Sequence, residues 1–111
     1  MLSIDNQNNI TLTRGDTLPI SLTLKQGDQT YTPAEGDVIR IACSVNYVGD
    51  PCYALKFSET IPNDTLSVTI PAATTAELRN GTYHYDVEIT HADGSVDTVL
   101  SADLIITGEV K

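Results

Sequence analysis

The sequence predicts an all-β fold, an immunoglobulin-like antiparallel β-sandwich of about seven strands with one short helical crossover near 71–79. Three observations carry that prediction. Apolar and polar residues alternate at a period of two through most of the chain. Turn signals interrupt the alternation at short intervals, as "RGD", "KQGDQ", "PAEGD", "VGDP", "PND" and "HADGS". The one segment that abandons the alternation, "PAATTAELRNG", opens with Pro71 and closes with Gly81, the order in which proline and glycine bound a helix.

The elements follow in order. After the short "NITLT", the run "TLPISLTLK" sets Leu18, Ile20, Leu22 and Leu24 on one face. Pro19 lies inside it and has no N–H to give a ladder, so this strand is expected at an edge or where the chain changes sheets. "VIRIACSVNY" turns Ile39, Ile41, Cys43, Val45 and Tyr47 inward and Arg40, Ser44 and Asn46 outward. "YALKF" does the same with Tyr53, Leu55 and Phe57, and "TLSVTI" with Leu66, Val68 and Ile70. In "TYHYDVEIT", Tyr83, Tyr85, Val87 and Ile89 face in while His84, Asp86 and Glu88 face out. Asp93-Gly94 is a strong hairpin signal before "SVDTVLSADLIITGEV", which reads as one bent strand or two short ones. One wet and one dry face per strand is the mark of antiparallel sheets packed in two layers. Leu104, Ile106 and Val110 are expected in the core, so loss of "IITGEV" is expected to unfold the domain. The helical segment falls where such a sandwich crosses between its sheets. Tyr83, just after Leu78 and Gly81, is the candidate for a tyrosine corner, its ring in the core and its hydroxyl on a backbone group of the crossover.

A chain of 111 residues suits a single domain, 1–111, large enough to fold without disulfides or metals. Its formal net charge of −9 argues against binding nucleic acid or an anionic membrane. The N-terminus "MLSIDNQNNI" has no basic region followed by an apolar one, so it is not a signal peptide, and no apolar run approaches the roughly 18 residues of a membrane helix. Cys43 and Cys52 flank "VNYVGDP", a hairpin loop centred on Gly49-Asp50. That register sets Cys43 opposite Lys56 and Cys52 opposite Tyr47, which predicts two buried free thiols and a reducing compartment, whereas a wider loop would permit a disulfide.

No catalytic constellation is visible, and no cofactor is expected. There is neither a Gly-x-Ser-x-Gly elbow nor a phosphate loop. His84 and His91 are seven apart on one strand, an odd separation that points them to opposite faces and prevents joint metal binding; both read as surface residues. A Cys43–His84 nucleophile fails because the alternation places one inside and the other outside. Asp93, Asp97 and Asp103 lack the spacing of a calcium loop and read as turn and surface residues. With no Trp and most Tyr on dry faces, Tyr31 in "QTYTP" is the one aromatic expected to be exposed as a contact. Arg14, Gly15 and Asp16 form a tripeptide known from adhesion loops, but here they lie in a short link just before a strand, where a turn needs glycine.

"TRGDTLPISLTL", "YTPAEGDVIRIAC", "LSVTIPAATTAELRNGTYHYDVEIT" and "DGSVDTVLSADLIITGEV" together resemble a family of small phage and prophage structural proteins, the N-terminal immunoglobulin-like domain of siphophage baseplate upper proteins. In those domains a Gly-Asp-Thr precedes strand B, a Gly-Asp precedes strand C, and a Leu-x-x-Gly-x-Tyr-x-Tyr segment, here Leu78 to Tyr85, opens strand F. The resemblance implies a non-enzymatic assembly module, a virion component put together in the bacterial cytoplasm. Its implied partners are other virion or tail proteins, with a homo-oligomer as a further option. Docking would use edge strands, for which the Pro19 strand and the terminal "DLIITGEV" are the candidates. The chain ends at Lys111, directly after the last strand, which implies a single-domain connector with no receptor-binding head of its own. The alternative is a bacterial surface adhesin or carbohydrate-binding sandwich that uses Arg14, Gly15, Asp16 and Tyr31. A third is an accessory domain of an enzyme.

Overall fold

The computed structural model describes residues 2–4 and 8–110; Met1 and Lys111, the bounds expected for the domain, lie outside them. The described elements are β1 (Ser3–Ile4), β2 (Ile10–Thr13), β3 (Leu18–Ser21), β4 (Lys25–Gln26), β5 (Gln29–Thr30), β6 (Val38–Val45), β7 (Ala54–Ile61), β8 (Ser67–Ile70), α1 (Ala72–Ala76), β9 (Gly81–Thr90) and β10 (Val96–Thr107). Seven of the strands are four residues or longer, and the fold is an all-β sandwich with one short helix.

The large sheet has the order β1-β2-β10-β9-β6-β7, and β3 pairs with β8 to form the small one. The chain passes from β2 to β3, back to β6 and β7, over to β8, and back through α1 to β9 and β10. This alternation between sheets is the immunoglobulin-like route. All pairs are antiparallel except one: β10 runs parallel to β2, with Leu104 beside Ile10 and Ile106 beside Leu12. The terminal segment, expected as an open edge, is therefore interior, held by β9 on one side and β2 on the other. The large sheet ends instead at β7.

The core lies between the sheets. Leu18, Ile20 and Ile70 from the small sheet meet Ile39, Ile41, Cys43, Phe57, Ile61, Val87, Ile89, Leu104 and Ile106 from the large one in a single cluster. Leu78 closes it below the crossover and Tyr83 and Tyr85 close it along β9. Pro19 fits its strand because the Leu22 N–H donates to the Leu66 carbonyl (2.9 Å). Antiparallel bonds alternate, so Pro19, opposite Thr69, sits at a position that needs no N–H.

Four expectations are corrected. Tyr47, Tyr53 and Leu55 face outward. The ladder between β6 and β7 pairs Cys43 with Phe57 and then Ser44 with Leu55, so Lys56 is an extra residue in a bulge. One extra residue flips every following side chain to the other face. Asn46, with φ +59, ends the alternation on the opposite strand just before Tyr47. The same bulge places Cys43 opposite Phe57 rather than Lys56. Cys52 is exposed in the turn, Cys43 alone is buried, and both thiols are free. Val110 is 99% exposed, because β10 has already ended at Thr107. Lastly, Tyr31 is half-buried against the core, not exposed.

Candidate functional site

The crossover explains the Arg14-Gly15-Asp16 tripeptide. The three residues form the turn from β2 to β3, with Gly15 at φ +86, a conformation that side chains with a Cβ rarely adopt. Arg14 Nε donates to the Leu78 carbonyl (3.0 Å) at the end of the crossover, and Arg14 Nη1 pairs with Glu109 Oε1 (3.2 Å) beyond β10. The Asp16 carbonyl accepts from the hydroxyl of Thr75 (2.7 Å), a fully buried residue of α1. Tyr83 is 6% exposed, and its hydroxyl donates to the Arg79 carbonyl (2.7 Å) four residues earlier, the geometry of a tyrosine corner. The tripeptide is thus bonded into the fold rather than held out on a loop tip.

A second cluster joins the loop before β6 to the β9–β10 hairpin. Asp37 is buried, and its carboxylate accepts from the Tyr31 hydroxyl (2.6 Å), the Ala34 N–H (2.9 Å) and His91 Nδ1 (3.0 Å). His91 Nε2 lies 2.9 Å from Asp97 Oδ2. Carboxylates only accept, so both ring nitrogens donate, which requires the imidazolium. The bonds to Asp97 first, then Asp37, raise the His91 pKa; the bonds from Tyr31, Ala34 and His91 lower that of Asp37. The Asp37 bond also raises the Tyr31 pKa. Gly36 comes so close to the hairpin that a Cβ there would lie 2.8 Å from the Ala92 Cβ. Asp93 bonds the N–H and hydroxyl of Ser95 in its own turn, and Asp103 pairs with His84 (2.9 Å). Asp93, Asp97 and Asp103 therefore serve separate partners, and no group of three or more metal-ligating side chains gathers among the described residues.

The surface best shaped for contact is the outer face of the large sheet. A groove of about 280 Å³ runs across β7, β6, β9 and β10, lined by Ala42, Ser44, Ser58 and Ser101 and by the charged Arg40, Asp86 and Glu88. Arg40 and Glu88 are cross-strand neighbours, as are Ala42 and Asp86. Burial raises the Asp86 pKa. The end of the groove is apolar: Val48 is 83% exposed, Tyr47 61%, Leu55 54% and Tyr53 36%. Tyr47 is not loose there, for its ring stacks on His84 with centroids 4.3 Å apart, and His84 is fixed in turn by Asp103. Contiguous exposed apolar groups beside a groove mark a contact surface. Strict alternation hid this patch by assigning Tyr47, Tyr53 and Leu55 to the core.

Arg14, Gly15 and Asp16 belong to the crossover, Tyr83 to the adjoining corner and Tyr31 to the Asp37 cluster; none of these five lines the groove, whereas His84 does. Burial pushes the pKa of the Cys43 thiol up to about 12, and no sequence expectation joined it to another reactive group. No helix among the described residues is long and apolar enough to cross a membrane. No protein-family model and no curated protein matches the chain.

Proposed function

We propose that this chain is a non-enzymatic structural module of a phage or prophage particle, belonging to the tail or baseplate and acting by docking against other virion proteins. The motif resemblance supports the particle, and the exposed Tyr47, Val48, Tyr53 and Leu55 beside the sheet groove support the docking. That apolar patch carries the reading. It is displayed at the end of the β6–β7 hairpin, and burying such side chains against a partner gains roughly 25 cal/mol per Å² of apolar surface. The positions of Gly15-Asp16-Thr17 before β3, Gly36-Asp37 before β6 and Leu78 to Tyr85 leading into β9 support the reading.

The test is mass spectrometry of purified particles from the strain that carries the gene. The chain is expected in the particles at a fixed ratio to the tail proteins. Val48→Asp and Leu55→Asp, both at exposed positions, are expected to leave the fold intact and to remove the chain from the particles. Its absence from particles made by the unaltered gene would sink the proposal. The adhesin reading drew its contacts from Arg14, Asp16 and Tyr31, which are bonded within the fold, and no observation favours it.

A further inference from the structure

Asp86 lies at the middle of β9 on the outer face of the large sheet, half-buried in the groove. Its cross-strand neighbours are Ala42 on β6 and Ser101 on β10, both small and uncharged. No hydrogen bond or ion pair reaches its carboxylate among the described residues. The other charged groups nearby are matched. Arg40, the one lysine or arginine lining the groove among the described residues, stands directly opposite Glu88, where opposite charges attract. His84 Nδ1 lies 2.9 Å from Asp103 Oδ1. Burial raises the Asp86 pKa, as expected for a carboxylate that has lost part of its hydration and gained neither donor nor counter-charge. Ala42, Ser44, Ser58 and Ser101 keep the groove open, so an incoming side chain can reach that carboxylate. Residues two apart on a strand are separated by roughly 7 Å. Asp86 is that far from His84, on which Tyr47 is stacked, and the apolar end of the groove begins there.

We infer that the groove takes a basic side chain, lysine or arginine, from a partner protein, its charged head on Asp86 and its methylene stem toward Tyr47 and Leu55. The chemistry of the site selects this occupant. An ammonium or guanidinium gives the carboxylate the charge-assisted hydrogen bond it lacks and offsets its loss of hydration. A neutral or acidic side chain would cover Asp86 and leave it unpaired, which is costly. A long basic side chain also matches the groove along its length, since its stem packs on apolar surface while its head stays polar. The net charge of −9 draws a basic segment and opposes nucleic acid and anionic membranes. It equally opposes a second copy, which brings six lysines and arginines against fifteen acidic residues. A small free amine would leave Val48, 83% exposed, and Leu55 uncovered, whereas a basic residue flanked by apolar ones covers them as well. This inference rests on the docking reading of the apolar patch and names the partner's chemistry.

The test is an NMR titration of the isotope-labelled full chain with the N-acetylated, C-amidated tripeptides Leu-Lys-Leu and Leu-Arg-Leu. The same peptide with norleucine at its centre keeps the stem and lacks the charge. The basic peptides are expected to shift the amides of Ala42, His84, Asp86 and Ser101 saturably, and to bind at least about tenfold more tightly than the norleucine peptide. Asp86→Asn keeps the shape and breaks no bond, so it is expected to leave Tm unchanged and to abolish that preference. Asp64→Asn, at an exposed position in the loop before β8, removes the same charge and is expected to keep the preference, which separates pairing from general attraction. Equal binding of the three peptides would overturn the inference, as would a preference that survives Asp86→Asn. A neutral oligosaccharide, maltohexaose, that shifts these amides where the peptides do not would also overturn it. In purified particles, Asp86→Asn is expected to lower the amount of the chain and Leu55→Asp to remove it. A chain lost with Leu55→Asp but kept in full with Asp86→Asn refutes the pairing alone and leaves the docking reading standing. Absence of the unaltered chain from particles refutes the docking reading, and the peptide titration still decides the pairing.

Discussion

Replacing Tyr83 by Phe isolates what ties the crossover to the sandwich. The ring stays in the core, so no apolar contact is lost, and the change removes one hydroxyl that donates to the Arg79 carbonyl at 2.7 Å. The expected cost depends on what the carbonyl does next. Arg79 is exposed, so water can reach the vacated position, and the loss is the net value of one hydrogen bond, about 1 kcal/mol, rather than the full penalty of a buried orphan. For a chain of 111 residues that is a fall in Tm of about 4 °C. Tyr85→Phe is the control. Its hydroxyl bonds the carbonyl of Asn8, an exposed residue of the N-terminal segment far from the crossover, and its loss should cost less, about 0.5 kcal/mol. Urea unfolding measures both, with an unchanged m-value showing that only stability moved. A double-mutant cycle sharpens the argument. Arg14 Nε holds the Leu78 carbonyl and Tyr83 the next one, so Arg14→Met and Tyr83→Phe should couple by about 0.5 kcal/mol or more. If Tyr83→Phe costs no more than Tyr85→Phe and the cycle shows no coupling, the crossover is held by packing alone and the reasoning fails.

Three further outcomes are expected. His91 has a folded pKa raised above its ordinary 6.5, so its stabilising contribution is complete below 6.5 and is lost as pH rises through the raised value. Asp37 has a folded pKa lowered below 3.8, so its contribution is complete above 3.8 and is lost as pH falls through the lowered value. Tm against pH should therefore peak between those limits, and His91→Gln should flatten the alkaline limb; an unaltered limb would show that the clamp does not titrate. A thiol reagent should modify Cys52 in the folded chain and Cys43 only on unfolding, as peptide mapping would show, because Cys43 is fully buried and its pKa stands at about 12; equal rates would contradict its burial. Leu104→Ala should cost about 2–5 kcal/mol, whereas Val110→Ala should leave the urea midpoint unmoved, since Leu104 is 1% exposed and Val110 99%.

The period-two alternation made the strands legible, together with most of the core they carry. Ile39, Ile41 and Cys43, then Tyr83, Tyr85, Val87 and Ile89, face inward as their spacing requires. Pro71 and Gly81 bracket the crossover, although the helix itself is only Ala72–Ala76 and Pro71 stands just before it. The failures along the β6–β7 hairpin share one physical cause. Alternation assumes an unbroken ladder, and a bulge is a choice of register between two strands that neither strand announces alone. Lys56 in the β6–β7 ladder and Val99 in the β9–β10 ladder are such insertions. The first moved Leu55 and Tyr53 from the expected core to the surface and so hid the apolar patch. The His91 clamp was illegible for another reason. Asp97 lies close in sequence across a recognisable hairpin, but Asp37 arrives from a loop 54 residues away, and only the folded topology brings it there.

The adhesion-like tripeptide shows how local resemblance and folded chemistry part company. An exposed arginine and aspartate could serve a receptor, but Arg14 spends its Nε on the Leu78 carbonyl and another donor on Glu109, while the backbone of Asp16 is held by Thr75. Three chain segments distant in sequence, the turn at 14–16, the helix at 72–76 and the tail at 107–109, meet at that one place. A receptor that pulled Arg14 away would break both of its bonds, which couples any such binding to loosening of the crossover. The apolar end of the large sheet has no such internal duty. On a protein of net charge −9, close approach by another macromolecule is least opposed where charge is absent. The clusters around Asp37 and Arg14 direct their donors and acceptors into the fold.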